Sequence, residues 1–193
     1  KMITIMEIMG RNAGWLTGAT ALAKTEECCG PDLIYLPEVP FDIEKFLKKC
    51  TDLLKKKSSI VVAVSEGIKT PDGTYVCQLS GGSDYVDAFG HAQLAGTAAY
   101  LAAYLADKTG HKTRAVELST LQRSASHMAS RVDINEAFMV GGAAVKAAGG
   151  GGTGKKVGID RVSRDPYLRR AGNLRGPKVT NTERQVPRER GRP

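Results

Sequence analysis

The segment SSIVVAVSEG, Ser58 to Gly67, constrains the chain more than any other. Its apolar run offers no polar face, so a strand here must be covered on both sides. That is the pattern of a parallel sheet with helices packed against both faces. The stretches around it fit the same plan. MITIMEI (Met2 to Ile8) is rich in β-branched and apolar residues and predicts a first strand. Trp15 to Lys24 predicts a helix, and DLIY a short strand bounded by prolines. In FDIEKFLKKCTDLL, Phe41, Ile43, Phe46, Leu47, Cys50, Leu53 and Leu54 recur near helical spacing, with lysines opposite. Ala92 to Asp107 predicts an alanine-rich helix, KTRAVEL a strand, and Val132 to Ala148 a further helix that the glycine run Gly149 to Gly152 ends. KKVGIDRVS is expected as a last strand. The order β-α-β-α-β-α-β-α-β predicts an α/β fold, a mostly parallel sheet with helices on both faces.

The chain of 193 residues can hold one core or one large lobe of something bigger. No run of about 18 apolar residues is present, so no membrane-spanning helix is expected. The four cysteines form no CxxC pair, which argues against zinc or thioredoxin-like chemistry and for a reducing cytoplasm. Charge is unevenly placed. Residues 151–193 hold 12 Lys/Arg against 4 Asp/Glu, so the net charge of +8 sits at the C-terminal end and the rest is neutral. Two regions are therefore expected: an α/β portion over 1–148 and a basic Gly/Arg/Pro-rich tail over 149–193, extended or disordered beyond about Arg164. The tail has no aromatic interleaving, and nucleic-acid binding is not expected of it.

Ligands of parallel sheets sit beyond the carboxyl ends of the strands. Those ends carry Met9-Gly10-Arg11, Pro37-Glu38, Ser65-Glu66-Gly67 and, a few residues past KTRAVEL, Gln122-Arg123 with His127 one step further. Guanidinium groups recognise phosphate in a fork geometry, and a carboxylate accepts from sugar hydroxyls. Gly10 would let backbone come close to a ligand. Two readings stay open on these residues alone: a site for a phosphorylated polyol, or structural salt bridges at the sheet edge. Elsewhere the plain readings stand. Trp15 is expected in the core, His91 and His111 at helix ends or the surface, and Asp87 at a helix N-terminus. Lys48, Lys49 and Lys55 to Lys57 are expected on a solvated face. GGGGTGK lacks the spacing of a phosphate loop and follows a helix rather than a strand.

Five segments in order, EIMGRNAGWLTGATALA, DLIYLPEVPFD, VVAVSEGIK, DAFGHAQLAGTAAYLA and TRAVELSTLQRSASHMASRVDINEA, resemble the C-terminal half of the 6-phosphofructokinases, most of all the pyrophosphate-using branch. The resemblance runs from Lys1 to about Ala148. It implies that Met9, Gly10 and Arg11 contact fructose 6-phosphate and that Glu66 accepts from its hydroxyls. Arg123 would hold the 6-phosphate, with Thr120, Gln122 and His127 nearby. It implies phosphoryl transfer from pyrophosphate or ATP to the 1-hydroxyl, assisted by Mg2+ that an upstream half mainly holds. The donor loop and the catalytic base belong to that half, so no catalytic residue is assigned here, and the chain is expected to be a fragment. A cytoplasmic homo-oligomer follows from the same resemblance. A non-catalytic module binding a sugar phosphate or another anion is the alternative.

Overall fold

The computed structural model describes residues 1–80, 95–154 and 156–172. These fall into two compact units, within Lys1–Ser124 and within Ala125–Thr182. Part of the glycine-rich loop SGGSD, the start of the expected helix at 92–94, Asp87, His91 and the chain beyond 172 lie outside the described residues.

The first unit is a four-stranded parallel sheet. Its strands are β1 (Met2–Ile8), β2 (Leu33–Tyr35), β3 (Ser59–Ser65) and β4 (Lys112–Glu117), in the spatial order β2-β3-β1-β4. The connecting helices are α1 (Trp15–Ala19), α2 (Ile43–Lys56) and α3 (Thr97–Thr109). β1 reaches β2 by crossing one way and the chain then returns, so right-handed crossovers set α1 on one face and α2 and α3 on the other. The alternation of side chains agrees. Ile3, Ile5, Ile60, Val62 and Val64 join Phe46, Cys50 and Leu54 of α2 and Leu101 and Leu105 of α3 in one core, whereas Ala63 is buried on the opposite side of β3.

Local chemistry explains the helix ends. Asp42 caps α2 by accepting from the Lys45 amide at 3.0 Å, Glu44 lies in its first turn, and Lys55 and Lys56 lie in its last, matching the helix dipole at both ends. Phe46, Cys50 and Leu54, four residues apart, form the buried stripe. Phe46 meets Tyr35 edge-on at 5.5 Å and Phe41 at 5.3 Å, which locks α2 onto β2. Gly110, with φ of 65°, ends α3 in the left-handed region. The lysine face of α2 is solvated as expected, except that Lys57 reaches Asp32 beyond it.

Three expectations are corrected. The helix from Trp15 shortens to five residues and continues as a 3-10 turn over Thr20–Ala23; its first turn holds no acidic residue, and Gly14 at its cap has no side chain to offer. Trp15 is 47% exposed rather than buried in the core, since the short helix turns only Thr17 fully inward. The expected last strand, β5 (Ile159–Ser163), does not join the parallel sheet. It pairs antiparallel with β6 (Leu168–Ala171), in a region expected to be extended or disordered.

The second unit combines this hairpin with α5 (Arg131–Gly149), whose Ser130 cap accepts from the Asp133 amide at 3.4 Å. Glu136 on α5 accepts from the Tyr167 hydroxyl at 2.7 Å and pairs with Arg169 at 2.8 Å, tying hairpin to helix. Among the described residues no helix is long and apolar enough to cross a membrane.

Replacing Phe46, fully buried at the centre of the aromatic contact, with alanine should cost about 3–5 kcal/mol of stability. Urea denaturation checks this, and a loss below about 1 kcal/mol would mean that α2 is not anchored as described.

Candidate functional site

Parallel pairing aligns the carboxyl ends of β1, β3 and β4 at one rim. Ile8 pairs with Ser65, and Glu7 with both Val64 and Glu117. Beyond that rim lies a cavity of about 270 Å³ lined by Glu7, Met9, Arg11, Glu66, Ala95, Glu117, Ser119 and Arg123. This is slightly below the range of about 300–1,000 Å³ usual for drug-sized ligands, and its lining is dominated by charge rather than apolar surface. Two guanidinium groups and three carboxyl groups, from five places in the chain, face one small space.

Glu66 is held at several points. Its amide donates to the Ile8 carbonyl at 3.0 Å, extending the β1–β3 ladder by one bond. Its Oε1 accepts from the Gly10 amide at 3.2 Å, and its carbonyl accepts from the Thr97 hydroxyl at 3.1 Å. The Ser65 hydroxyl donates to the Gly10 carbonyl. Gly67 brings the Arg11 backbone into place. A Cβ there would stand 1.9 Å from the Arg11 carbonyl oxygen, so only glycine admits the approach. Gly10, with φ of 154°, is packed similarly, with the Ala13 carbonyl oxygen 2.8 Å from where a Cβ would stand.

The turn after β4 presents Arg123 on the short helix α4 (Leu121–Ser124). Ser119 enters it with φ of 42°, a left-handed conformation uncommon for a residue with a side chain and frequent at functional sites. Gln122 does not line the cavity. Its Oε1 accepts from the Met9 amide at 3.0 Å and fastens this turn to the end of β1. Thr120 is exposed and also outside the lining; its carbonyl accepts from the Arg123 amide at 3.0 Å. Gly10 contributes through its backbone. Met9, Arg11, Glu66 and Arg123 thus converge on the cavity. His127, exposed in a 3-10 turn, belongs to the second unit. Glu38 turns the other way chemically: its Oε1 accepts from the Gly14 amide at 2.8 Å at the start of α1.

Sequence reasoning missed Glu7, Glu117 and Ser119. The signal for Glu7 was present, as the one charged residue in MITIMEI. Glu7 is 6% exposed, and its Oε2 accepts from the Ala98 amide in the first turn of α3 at 2.8 Å. Burial pushes its carboxyl up to about 7, and the carboxylates of Glu117 and Glu66 add to the push while the Ala98 amide opposes it. Among the described residues no group of three or more His, Cys, Asp or Glu side chains is disposed to hold a metal ion.

A doubly wound α/β sheet with a charged cavity at its carboxyl rim is the class that fold and site define. The phosphofructokinase family model matches residues 1–148. The chain is 36% identical over 187 residues to the pyrophosphate--fructose 6-phosphate 1-phosphotransferase of Halomonas elongata and 40% identical over 185 residues to that of Xanthomonas campestris. These alignments cover 97% and 96% of this chain but 44% of each relative. The crystal structure of a pyrophosphate-dependent phosphofructokinase from Marinobacter aquaeolei superimposes with a TM-score of 0.67 at 30% identity, over 98% of this chain and 44% of that one. The chain belongs to the phosphofructokinase family, and it spans less than half the length of the relatives it matches.

Two outcomes are expected at this site. Gly67→Ala should displace the Arg11 backbone and cost about 1–3 kcal/mol in denaturant unfolding; an unchanged midpoint would mean that the loop gives way freely. The second concerns Glu7. Unfolded, its carboxyl loses the proton near 4.5; folded, it keeps it to about 7. The folded state therefore binds the extra proton in that window. The stability this confers is full below pH 4.5, declines as pH rises, and is gone above about 7. The melting temperature of wild type relative to Glu7→Gln should fall by several degrees between pH 4.5 and 8, read by circular dichroism. A constant difference would show that Glu7 titrates normally.

Proposed function

We propose that this chain carries the acceptor-sugar side of a phosphotransferase that moves a phosphoryl group from pyrophosphate to the 1-hydroxyl of fructose 6-phosphate. The observation that carries the reading is the convergence of Arg11, Arg123 and Glu66 on one cavity at the carboxyl rim of the parallel sheet. The names of the relatives from Halomonas elongata and Xanthomonas campestris support the donor, the acceptor and the reaction.

In this reading the two guanidinium groups hold the 6-phosphate as paired, permanently charged donors. Glu66, fixed by the Gly10 amide and the Thr97 hydroxyl, accepts from a sugar hydroxyl and orients the ring. Met9 closes one side of the cavity, and Thr120 and Gln122 set the turn that presents Arg123. The reaction forms a bond between the 1-oxygen and the transferred phosphorus and breaks a phosphoanhydride bond of the donor. The hydroxyl proton leaves to a base, and inorganic phosphate departs. This chain's part is positioning, which accounts for much of catalysis in phosphoryl transfer. Mg2+ on the donor phosphates would neutralise their charge. The described carboxylates do not form a nest for it. The reading extends to a cytoplasmic homo-oligomer.

Calorimetric titration with fructose 6-phosphate tests the assignment. Arg123→Ala should weaken binding by about 2–4 kcal/mol, the loss of two charge-assisted hydrogen bonds to a phosphate. Equal affinities for the two proteins would overturn it. Turnover by this chain when pyrophosphate and Mg2+ are added would rule out a module that only holds the sugar phosphate.

A further inference from the structure

We propose that Glu7 is a positioning residue of this cavity, anchoring the start of α3 behind the ligand groups and tuning through its own charge how tightly a phosphate monoester dianion is held. The inference rests on the reading of the cavity as a sugar-phosphate site. Glu7 reaches the cavity from the strand rather than from a loop, and it is the most buried of the charged residues that line it.

The geometry gives it two connections. Its Oε2 accepts from the Ala98 amide at 2.8 Å, which fixes the first turn of α3. In that same turn Thr97, fully buried, donates its hydroxyl to the Glu66 carbonyl at 3.1 Å. Glu7 thus reaches Glu66 through the end of a thirteen-residue helix. A shift at either bond moves the carboxylate assigned to the sugar hydroxyl.

The electrostatics follow from the same placement. Among the described residues, Glu7 faces Glu117 from β4, Glu66 from the end of β3, Cys77 from the 3-10 turn Val76–Ser80, and the amides of Thr97 and Ala98 from α3; Arg11 and Arg123 share its cavity. The first turn of α3 carries no acidic residue of its own. With Glu7 neutral, two guanidinium groups balance the carboxylates of Glu66 and Glu117. With Glu7 ionised, the lining carries net negative charge and opposes a dianion. Burial places that change of state near pH 7, inside the working range of a metabolic enzyme.

The test is titration of the full chain with fructose 6-phosphate at pH 6.5 and 8.5, for wild type, Glu7→Gln and Glu7→Ala. Across this range the sugar phosphate is mostly a dianion, since its second proton leaves near pH 6. Wild-type affinity should fall about five-fold at the higher pH, the size of one charge–charge interaction across a small wet cavity. Glu7→Gln keeps an acceptor for the Ala98 amide but cannot ionise. It should match wild type within about two-fold at pH 6.5 and lose the fall at 8.5. Glu7→Ala should bind about ten-fold more weakly at both pH values, because the start of α3 is released. Should the alanine variant fail to fold, the glutamine variant alone decides. A wild-type slope preserved in Glu7→Gln, or no slope in wild type, would overturn the role of Glu7 while leaving the sugar-phosphate reading intact. Wild type that binds no fructose 6-phosphate at either pH would remove that reading, and this inference with it.

Discussion

The parallel pairing of β1 with β3 and β4 is the constraint on which the rest of this structure depends. Its register is unbroken from Met2 opposite Ser59 to Ile8 opposite Ser65, and from Met2 opposite Lys112 to Glu7 opposite Glu117. Three strands from distant parts of the chain therefore end at the same height. A slip of two residues in either ladder would keep the core faces matched, yet it would carry Glu66 or Arg123 about 7 Å along the strand and out of reach of Arg11. The apolar residues of β1 and β3 that bury against α2 and α3 thus hold the sheet together, and the bonds past the strand ends fix its height. Glu66 to Ile8 and Gln122 to Met9 are such bonds, and each joins a loop to β1.

That arrangement has an electrostatic consequence. Glu7 and Glu117 are register partners on adjacent parallel strands, so their side chains leave the sheet on the same face. One is enclosed by α3 and the other is exposed at the sheet edge. Enclosure, more than the neighbouring charge, holds the Glu7 carboxyl near neutrality of charge up to about pH 7, while the backbone amides of α3 pull the other way. A buried acid at a helix N-terminus is a compromise between desolvation and the donors that the helix end offers. Here desolvation wins, and the outcome is a titratable group directly behind a cavity that also contains two arginines.

Much of the first unit was legible in the sequence because its signals are local. The β-branched run of β3 admits no exposed face, and the α2 stripe with its aspartate cap and terminal lysines satisfies period, cap and dipole together. That Arg11, Glu66 and Arg123 share one cavity was legible because the carboxyl ends of parallel strands lie at one rim, a rule of topology. What the sequence hid depended on distant partners. The exposure of Trp15 follows from how little of a five-residue helix turns inward, which no spacing of apolar residues specifies. In the hairpin β5–β6 the first strand was expected, but β6 lies in a stretch whose charge and proline suggested no fold. It is secured by Glu136, more than twenty residues upstream, accepting from Tyr167 and pairing with Arg169. Glu7 stood out as the one charged residue of its strand, but its acceptor role was hidden for the same reason, since Ala98 lies 91 residues away.

The two kinds of group in the cavity are built differently, and the difference bears on what they can do. Glu66 is fixed at its amide, its Oε1 and its carbonyl, so its orientation is set before any ligand arrives. Its loop is tight enough that Gly67 has no room for a single methyl group against Arg11. Preorganised acceptors lose little entropy on binding and discriminate strongly, because a ligand that lacks a matching donor leaves a fixed carboxylate unsatisfied. The arginines arrive on long side chains from two turns, one after β1 and one after β4. They can follow a phosphate through small changes of position and still keep paired contacts with it. A site built this way is rigid at its acceptor end and adaptable at its cationic end, which suits the sugar phosphate proposed for it. Under the proposed reading, that division would keep the acceptor hydroxyl in a constant place while the phosphate supplied the affinity.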